Sequence, residues 1–208
     1  MWYAVLIAAL TAYLLGNLNG AVCVSALVAH DDVRQHGSGN AGLTNFIRNY
    51  GPANALFVIM IDGGKAALAC LASGAILESV GMGREGMALG GLMVMLGHAF
   101  PALLGFRGGK GILSGFFVAL TIDWRISLII LAVFAIAYGC TLFVSLGSVL
   151  ASATFSICFA LFHHDNLMVM ICGIVMGVLA IFMHRSNIVR LVTGKERKTN
   201  LFKKDNGK

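Results

Sequence analysis

Charge is scarce in this sequence. Aspartate, glutamate, lysine and arginine make up 12% of its 208 residues, against about 25% in an average soluble domain. With apolar spans taking up most of the length, no separate soluble domain is expected. Proline is scarcer still, at two residues, which leaves long helical runs uninterrupted. No CxxC pair occurs: Cys23, Cys70, Cys140, Cys158 and Cys172 sit singly in apolar segments. They read as small core residues, not as a disulfide framework. No His, Cys and carboxylate cluster has ligand spacing, so neither a metal nor another cofactor is expected. The first residues lack a basic segment ahead of a short apolar core, so the first apolar run is expected to be a retained span. There is no convincing internal repeat and no coiled-coil heptad.

What fills the chain is apolar. Hydrophobic residues reach 58% and the mean hydropathy is +0.85. The 26 glycines suit close helix packing in lipid. A membrane helix needs about 20 apolar residues. The pattern predicts an all-α polytopic membrane protein, a single domain over residues 1–208 whose last part, about 199–208, is a flexible basic tail. Seven transmembrane helices are expected: Trp2–Ala29, Ala53–Leu77, Met87–Leu104, a short Ile112–Ile122, two from the stretch Ile126–Phe162 broken at Ser145–Ser148, and Leu167–Met183. His184–Lys198 is expected to form a short amphipathic helix.

Charge gives an orientation. Seven crossings put the loop 30–52, the loop 105–111, the break near 145–148 and the tail on one face. Those regions carry 12 of the 15 lysines and arginines, eight of them in the tail; Arg84 and Arg125 fall on the other face and Lys65 lies inside a span. The positive-inside rule then predicts a cytoplasmic C-terminus and an N-terminus outside.

Four polar clusters interrupt the apolar background. In the first loop, Gly37, Ser38, Gly39, Asn40, Gly42, Thr44 and Asn45 precede Arg48. The GxGxxG match is weak, because a dinucleotide site needs a strand ahead of it. Glycines, hydroxyls and an arginine nevertheless suit an anion; a plain glycine-rich turn is the alternative. The second cluster runs from Gly97, His98 and Pro101 to Arg107, Gly108, Gly109, Lys110 and Gly111. It is no Walker A loop: Gly111 replaces the magnesium-binding hydroxyl, and Gly105 lies four, not five, positions before Gly109. It reads as a phosphate-holding loop or as a basic hairpin at the headgroups. Ser145 and Ser148 could donate to phosphate or satisfy freed carbonyls. His184 and Asn187, three apart, share a helix face. Asp62 and Lys65 also share a face, within a span, where charges usually pair or line a cavity.

Each cluster alone is ambiguous. Span parity puts all four on one face, and the opposite loops hold nothing comparable. One phosphate-handling site open to the cytoplasm is therefore expected. From the residues alone an enzyme and a transporter of a phosphorylated metabolite both remain open; a non-catalytic scaffold accounts for the basic tail but not for the glycine-rich loops.

The ordered set Gly37-Ser38-Gly39-Asn40-x-Gly42-x-Thr44-Asn45-x-x-Arg48, Asp62-x-x-Lys65, Gly97-His98-x-x-Pro101, Phe106-x-Gly108-Gly109-Lys110-Gly111, Ser145–Ser148 and His184-Arg185-x-Asn187 through Gly194-x-Glu196 resembles the bacterial acyl-phosphate:glycerol-3-phosphate acyltransferase family (PlsY). The resemblance covers about Gly16 to Lys198. Leu43 and Ala66 depart from the family's usual residues without removing a polar group. The resemblance implies acyl transfer from acyl phosphate to the 1-hydroxyl of glycerol 3-phosphate, giving 1-acylglycerol 3-phosphate (lysophosphatidic acid) and phosphate. The HxxxxD motif of other glycerol-phosphate acyltransferases is absent after all six histidines.

Expected catalytic residues are Ser38, Arg48, Lys110, His184 and Asn187. Expected substrate-binding residues are Gly37, Gly39, Asn40, Thr44, Asn45, His98, Gly108, Gly109, Gly111, Ser145 and Ser148. The loop Gly108–Gly111 with Thr44 is expected to hold acyl phosphate; Arg48, Lys110, Ser148, His184 and Asn187 are expected to hold glycerol 3-phosphate. The resemblance further implies the bacterial inner membrane, membrane lipid as surroundings, contact with the soluble acyl-phosphate synthase and no nucleic-acid partner.

Overall fold

The computed structural model describes residues 1–199. Among them every regular element is helical: α1 Trp2–Asn17, α2 Gly20–Ala29, α3 Leu43–Tyr50, α4 Ala55–Glu78, α5 Gly83–Ala99, α6 Ile112–Ile122, α7 Trp124–Thr141, α8 Val144–Phe162, α9 Leu167–Met183 and α10 Arg185–Val192. In hydrocarbon each backbone polar group must find its partner within the protein, and a helix does this locally. Five stretches are long and apolar enough to cross a membrane: Trp2–Ala29, Ala55–Glu78, Gly83–Leu104, Trp124–Thr141 and Val144–Phe162. The pair α9 and α10, bent by 56°, makes a sixth. The eleven residues of α6 rise only about 16 Å, roughly half a hydrocarbon core.

The first expected span is interrupted. Asn19 Oδ1 accepts from Val22 N at 3.0 Å and starts α2 afresh. Its Nδ2 donates to Ala41 O at 3.0 Å, which ties the break to the first loop. The third span begins earlier than expected, at Gly83, and ends at Leu104 as expected, although its α-helix stops at Ala99. Glu85 lies in the first turn of α5, where the helix dipole favours a carboxylate. Pro101 forces Phe100 out of helical geometry, so the proline ends the helix and does not kink it.

Three further expectations are corrected. The long apolar stretch breaks at Leu142, which takes a left-handed conformation (φ 61°), not at Ser145–Ser148. Both serines lie in the first turns of α8. The tail helix ends at Val192, short of Lys198, because Gly194 (φ 68°) closes it. Lys195 N and Glu196 N both return to Arg190 O, at 2.8 and 3.1 Å. Thr199, expected in the flexible tail, is buried: its N donates to Leu142 O and its O accepts from Tyr138 Oη, both at 3.0 Å. The rest of that tail, 200–208, lies outside the described residues.

Helices α4 and α5 form the centre of the bundle, with α1 against both; α6, α8 and α9 complete the wall and α7 lies outside, touching α6 and α8. Glycine sets the closest approach. A Cβ on Gly97 would fall 2.2 Å from Tyr13 O, and one on Gly16 2.5 Å from Val94 O, so α1 and α5 cross at a contact only glycine permits.

Candidate active site

The first loop is held open by one side chain. Asn45, 3% exposed, accepts from Ser38 N at 3.0 Å and donates to Val33 O and His36 O, each at 3.0 Å. Both amide protons are thus committed to the loop, which Asn45 staples. Gly37 (φ 60°) packs against it: a Cβ there would meet Asn45 Oδ1 at 2.5 Å. The chain then enters α3 at Gly42, with no side-chain cap. Its first turn opens into a cavity at Gly42, Leu43 and Thr44, and Arg48 lies one turn further on the same wall. Helix N-termini of this kind favour anions.

The second loop folds back on the end of α5. Gly109 N donates to His98 O at 3.0 Å. A Cβ on Gly108 would sit 1.9 Å from His98 O, and one on Gly109 2.1 Å from His98 Nε2. Both glycines are therefore packing requirements that deliver Lys110 and Gly111 to the cavity wall. Arg34 Nη1 donates to Leu104 O at 2.8 Å and holds the two loops together.

The third wall comes from α8, α10 and the turn after α10. Lys110 Nζ donates to Asn187 Oδ1, Asn187 Nδ2 to Glu196 Oε1 at 2.8 Å, and Arg190 Nε to Glu196 Oε2 at 2.7 Å. Arg48 donates to Thr199 Oγ1. Ser148 Oγ donates to Val144 O at 2.9 Å, while Ser145 Oγ is buried without a hydrogen bond. His184 Nδ1 lies 2.8 Å from Ala180 O. A carbonyl only accepts, so Nδ1 bears the proton and Nε2 is left with its lone pair.

Burial, then the charges of Arg190 and Arg48, lower the pKa of Lys110 to about 8, with Glu196 opposing. Burial raises that of Glu196, but the hydrogen bonds from Asn187 and Arg190 outweigh it and hold it below its usual value.

These segments surround one cavity of about 500 Å³. Its polar lining includes Ser38, Asn40, Thr44, Arg48, Lys110, Ser145, Ser148, His184 and Asn187. The expected residues Gly111, His98 and Asn45 also border it; Gly37, Gly39, Gly108 and Gly109 shape the loops behind it. The rest of its lining is mainly apolar and comes from the helices, including Phe116, Ile130, Phe134, Ala151, Phe155 and Met176. Arg190 and Glu196 were absent from the expected site residues. Gly194 was the available signal, since a left-handed glycine after a helix turns the chain back. Asp62 borders the cavity and Lys65 does not. Among the described residues no metal-holding group of His, Cys, Asp and Glu occurs.

The far end of the bundle differs. There Arg84 pairs with Asp165 at 3.0 Å and Arg125 with Asp123 at 2.6 Å.

The family model for "Glycerol-3-phosphate acyltransferase" matches residues 6–194. A glycerol-3-phosphate acyltransferase of Thermoanaerobacter sp. (strain X514) is 39% identical over 196 residues, 94% of this chain and 96% of its own. One from Finegoldia magna is 37% identical over 193 residues, 93% and 95% of the two chains. Two crystal structures of PlsY (YgiH), an integral membrane glycerol 3-phosphate acyltransferase, are similar at 30% identity. The glycerol 3-phosphate form has a TM-score of 0.85 and covers 96% of this chain and 99% of that one. The lysphosphatidic acid form has a TM-score of 0.81, covering 95% and 96%.

Proposed function

Because the chain belongs to the glycerol-3-phosphate acyltransferase family, we propose how its cavity performs the acyl transfer. The observation that carries the reading is that one cavity is lined both by cations and by apolar helix residues, which we read as a polar end continuous with an apolar arm. Such a space fits two phosphates and an acyl chain at once.

The donor is acyl phosphate. Its phosphate lies at the Gly108–Gly111 loop and Thr44, with the acyl chain in the arm. Glycerol 3-phosphate is held by Arg48, Lys110, Ser148, His184 and Asn187, with Ser38 facing it. The 1-hydroxyl oxygen attacks the acyl carbonyl carbon, the bond from that carbon to the phosphate oxygen breaks, and phosphate leaves. The hydroxyl proton is donated to the departing phosphate and passes to it, while His184 lines the glycerol 3-phosphate site without taking that proton. The donor already carries a good leaving group, so positioning and charge stabilisation supply the rate and no covalent enzyme nucleophile is needed. The apolar arm keeps water from competing.

In this reading the chain crosses the bacterial inner membrane seven times, with α6 as the short crossing, the N-terminus outside and the site facing the cytoplasm. The bias of Lys and Arg supports that orientation. The lipid product stays in the bilayer, and the soluble acyl-phosphate synthase delivers the donor at the same face.

Purified protein given palmitoyl phosphate and glycerol 3-phosphate is expected to release phosphate and form lysophosphatidic acid, and to be idle with palmitoyl-CoA. Turnover with the thioester and none with the acyl phosphate overturns the donor assignment.

A further inference from the structure

We infer that Asp62, Lys65 and His98 form a positioning relay that fixes which ring nitrogen of His98 carries its proton, and so aims a hydrogen-bond donor at the glycine-lysine loop. The relay deepens the proposed function and rests on that loop being the acyl-phosphate site.

The three side chains are buried, at 1%, 4% and 4% exposure. An ammonium has three donors and no acceptor. Lys65 Nζ lies 2.8 Å from Asp62 Oδ1 and 2.9 Å from His98 Nδ1. It also donates to Leu18 O, a carbonyl at the break between α1 and α2. Three acceptors meet three protons, with Gly16 O behind them at 3.4 Å. An Nδ1–H tautomer, or an imidazolium, would set N–H against N–H here. His98 is therefore neutral, with its lone pair on Nδ1 and its proton on Nε2.

Asp62 makes the arrangement tenable, because an unpaired ammonium between helices is costly. Its Oδ1 also accepts from Gly20 N at 3.0 Å, and lies 3.7 Å from His98 Nδ1. His98 then acts on the loop twice. Its carbonyl accepts from Gly109 N, and its Nε2 edge lies against Gly109, where a Cβ would fall 2.1 Å away. His98 borders the cavity while Lys65 stands behind it. Lys65 and Asp62 are thus positioning residues, and the Nε2–H of His98 is the group that meets a phosphate oxygen of the donor.

The first test is nitrogen-15 NMR of the histidine rings in the full-length protein in micelles, with His98 assigned by its disappearance in His98→Gln. A neutral ring protonated on Nε2 at pH 7 is expected; an Nδ1–H ring or an imidazolium overturns the relay. The second is kinetic. Asp62→Asn with Lys65→Met removes both charges together, leaving neither unpaired. It is expected to raise the acyl-phosphate KM about fivefold, as for one weakened hydrogen bond, with the glycerol 3-phosphate KM within about twofold. In His98→Gln the amide donor does not depend on the relay, so adding the double change there is expected to cost less than about twofold. Equal losses in both backgrounds would mean a merely structural pair and overturn the proposal. Should the double variant fail to fold, the ring measurement on wild type decides. If acyl phosphate is not the donor, wild type fails the acyl-phosphate assay, and the ring measurement still reports the tautomer.

Discussion

Replacing Lys110 by alanine removes a cation that the fold delivers to the polar end of the cavity through two packing-constrained glycines. The ammonium is oriented by Asn187, which Glu196 fixes in turn. At about 4 Å from a phosphate charge and an effective dielectric near 20, the attraction is about 4 kcal/mol. Losing one preorganised donor of this kind costs about 100- to 1,000-fold in kcat. Lys110→Ala is expected in that range when phosphate release is followed at saturating substrates. The pH dependence is a second readout. The pKa of Lys110 is lowered to about 8, so the cation is about 90% present at pH 7 and about 10% at pH 9. Since the protonated form binds phosphate, kcat/KM is expected to hold below pH 7.5 and fall about tenfold by pH 9. Bound phosphates hold the proton, so the limb in kcat lies at higher pH. In Lys110→Arg the basal rate falls but the limb leaves this range, because a guanidinium does not titrate there. Turnover of Lys110→Ala within a few-fold of wild type, or a kcat/KM flat to pH 9.5, would refute the placement.

His184→Gln is expected to keep turnover within about tenfold of wild type, because the leaving phosphate takes the proton; a loss of 100-fold or more would make His184 the obligatory base. Gly108→Ala forces a methyl to 1.9 Å from His98 O, so the loop shifts and activity is expected to drop at least about 100-fold with the helices intact by circular dichroism. Asn45→Ala leaves Ser38 N, Val33 O and His36 O without their partner; a stability loss of about 1–3 kcal/mol is expected, read as a lower melting temperature in detergent. An unchanged melting temperature would return Asn45 to the substrate.

Much of the architecture is legible in the residues because lipid allows few structures. An apolar run of sufficient length must be helical, and the bounds of α6 and α9 coincide with the expected spans. Polar residues stand out against such a background, so Ser38, Lys110, Ser148 and His184 could be singled out and are found around one cavity. The break at Leu142 was misplaced because nothing polar marks it; a left-handed leucine inside an apolar run has no compositional signal. The break inside the first span was missed for the opposite reason. Asn19 caps α2 locally, through Val22 N three residues on, but the bond that ties the break to the first loop runs to Ala41, 22 residues away.

By itself the sequence determined the class of structure and the inventory of groups, since both follow from the cost of exposing peptide and charge to lipid. The tertiary structure decided how each group is used. Asn45 is consumed by its own loop and Asp62 and Lys65 hold a histidine, whereas Lys110 meets Asn187, 77 residues on, at the cavity. A hydrogen bond depends on tenths of an ångström between segments remote in the chain. That distance is set by where helices cross, and only the folded bundle fixes it.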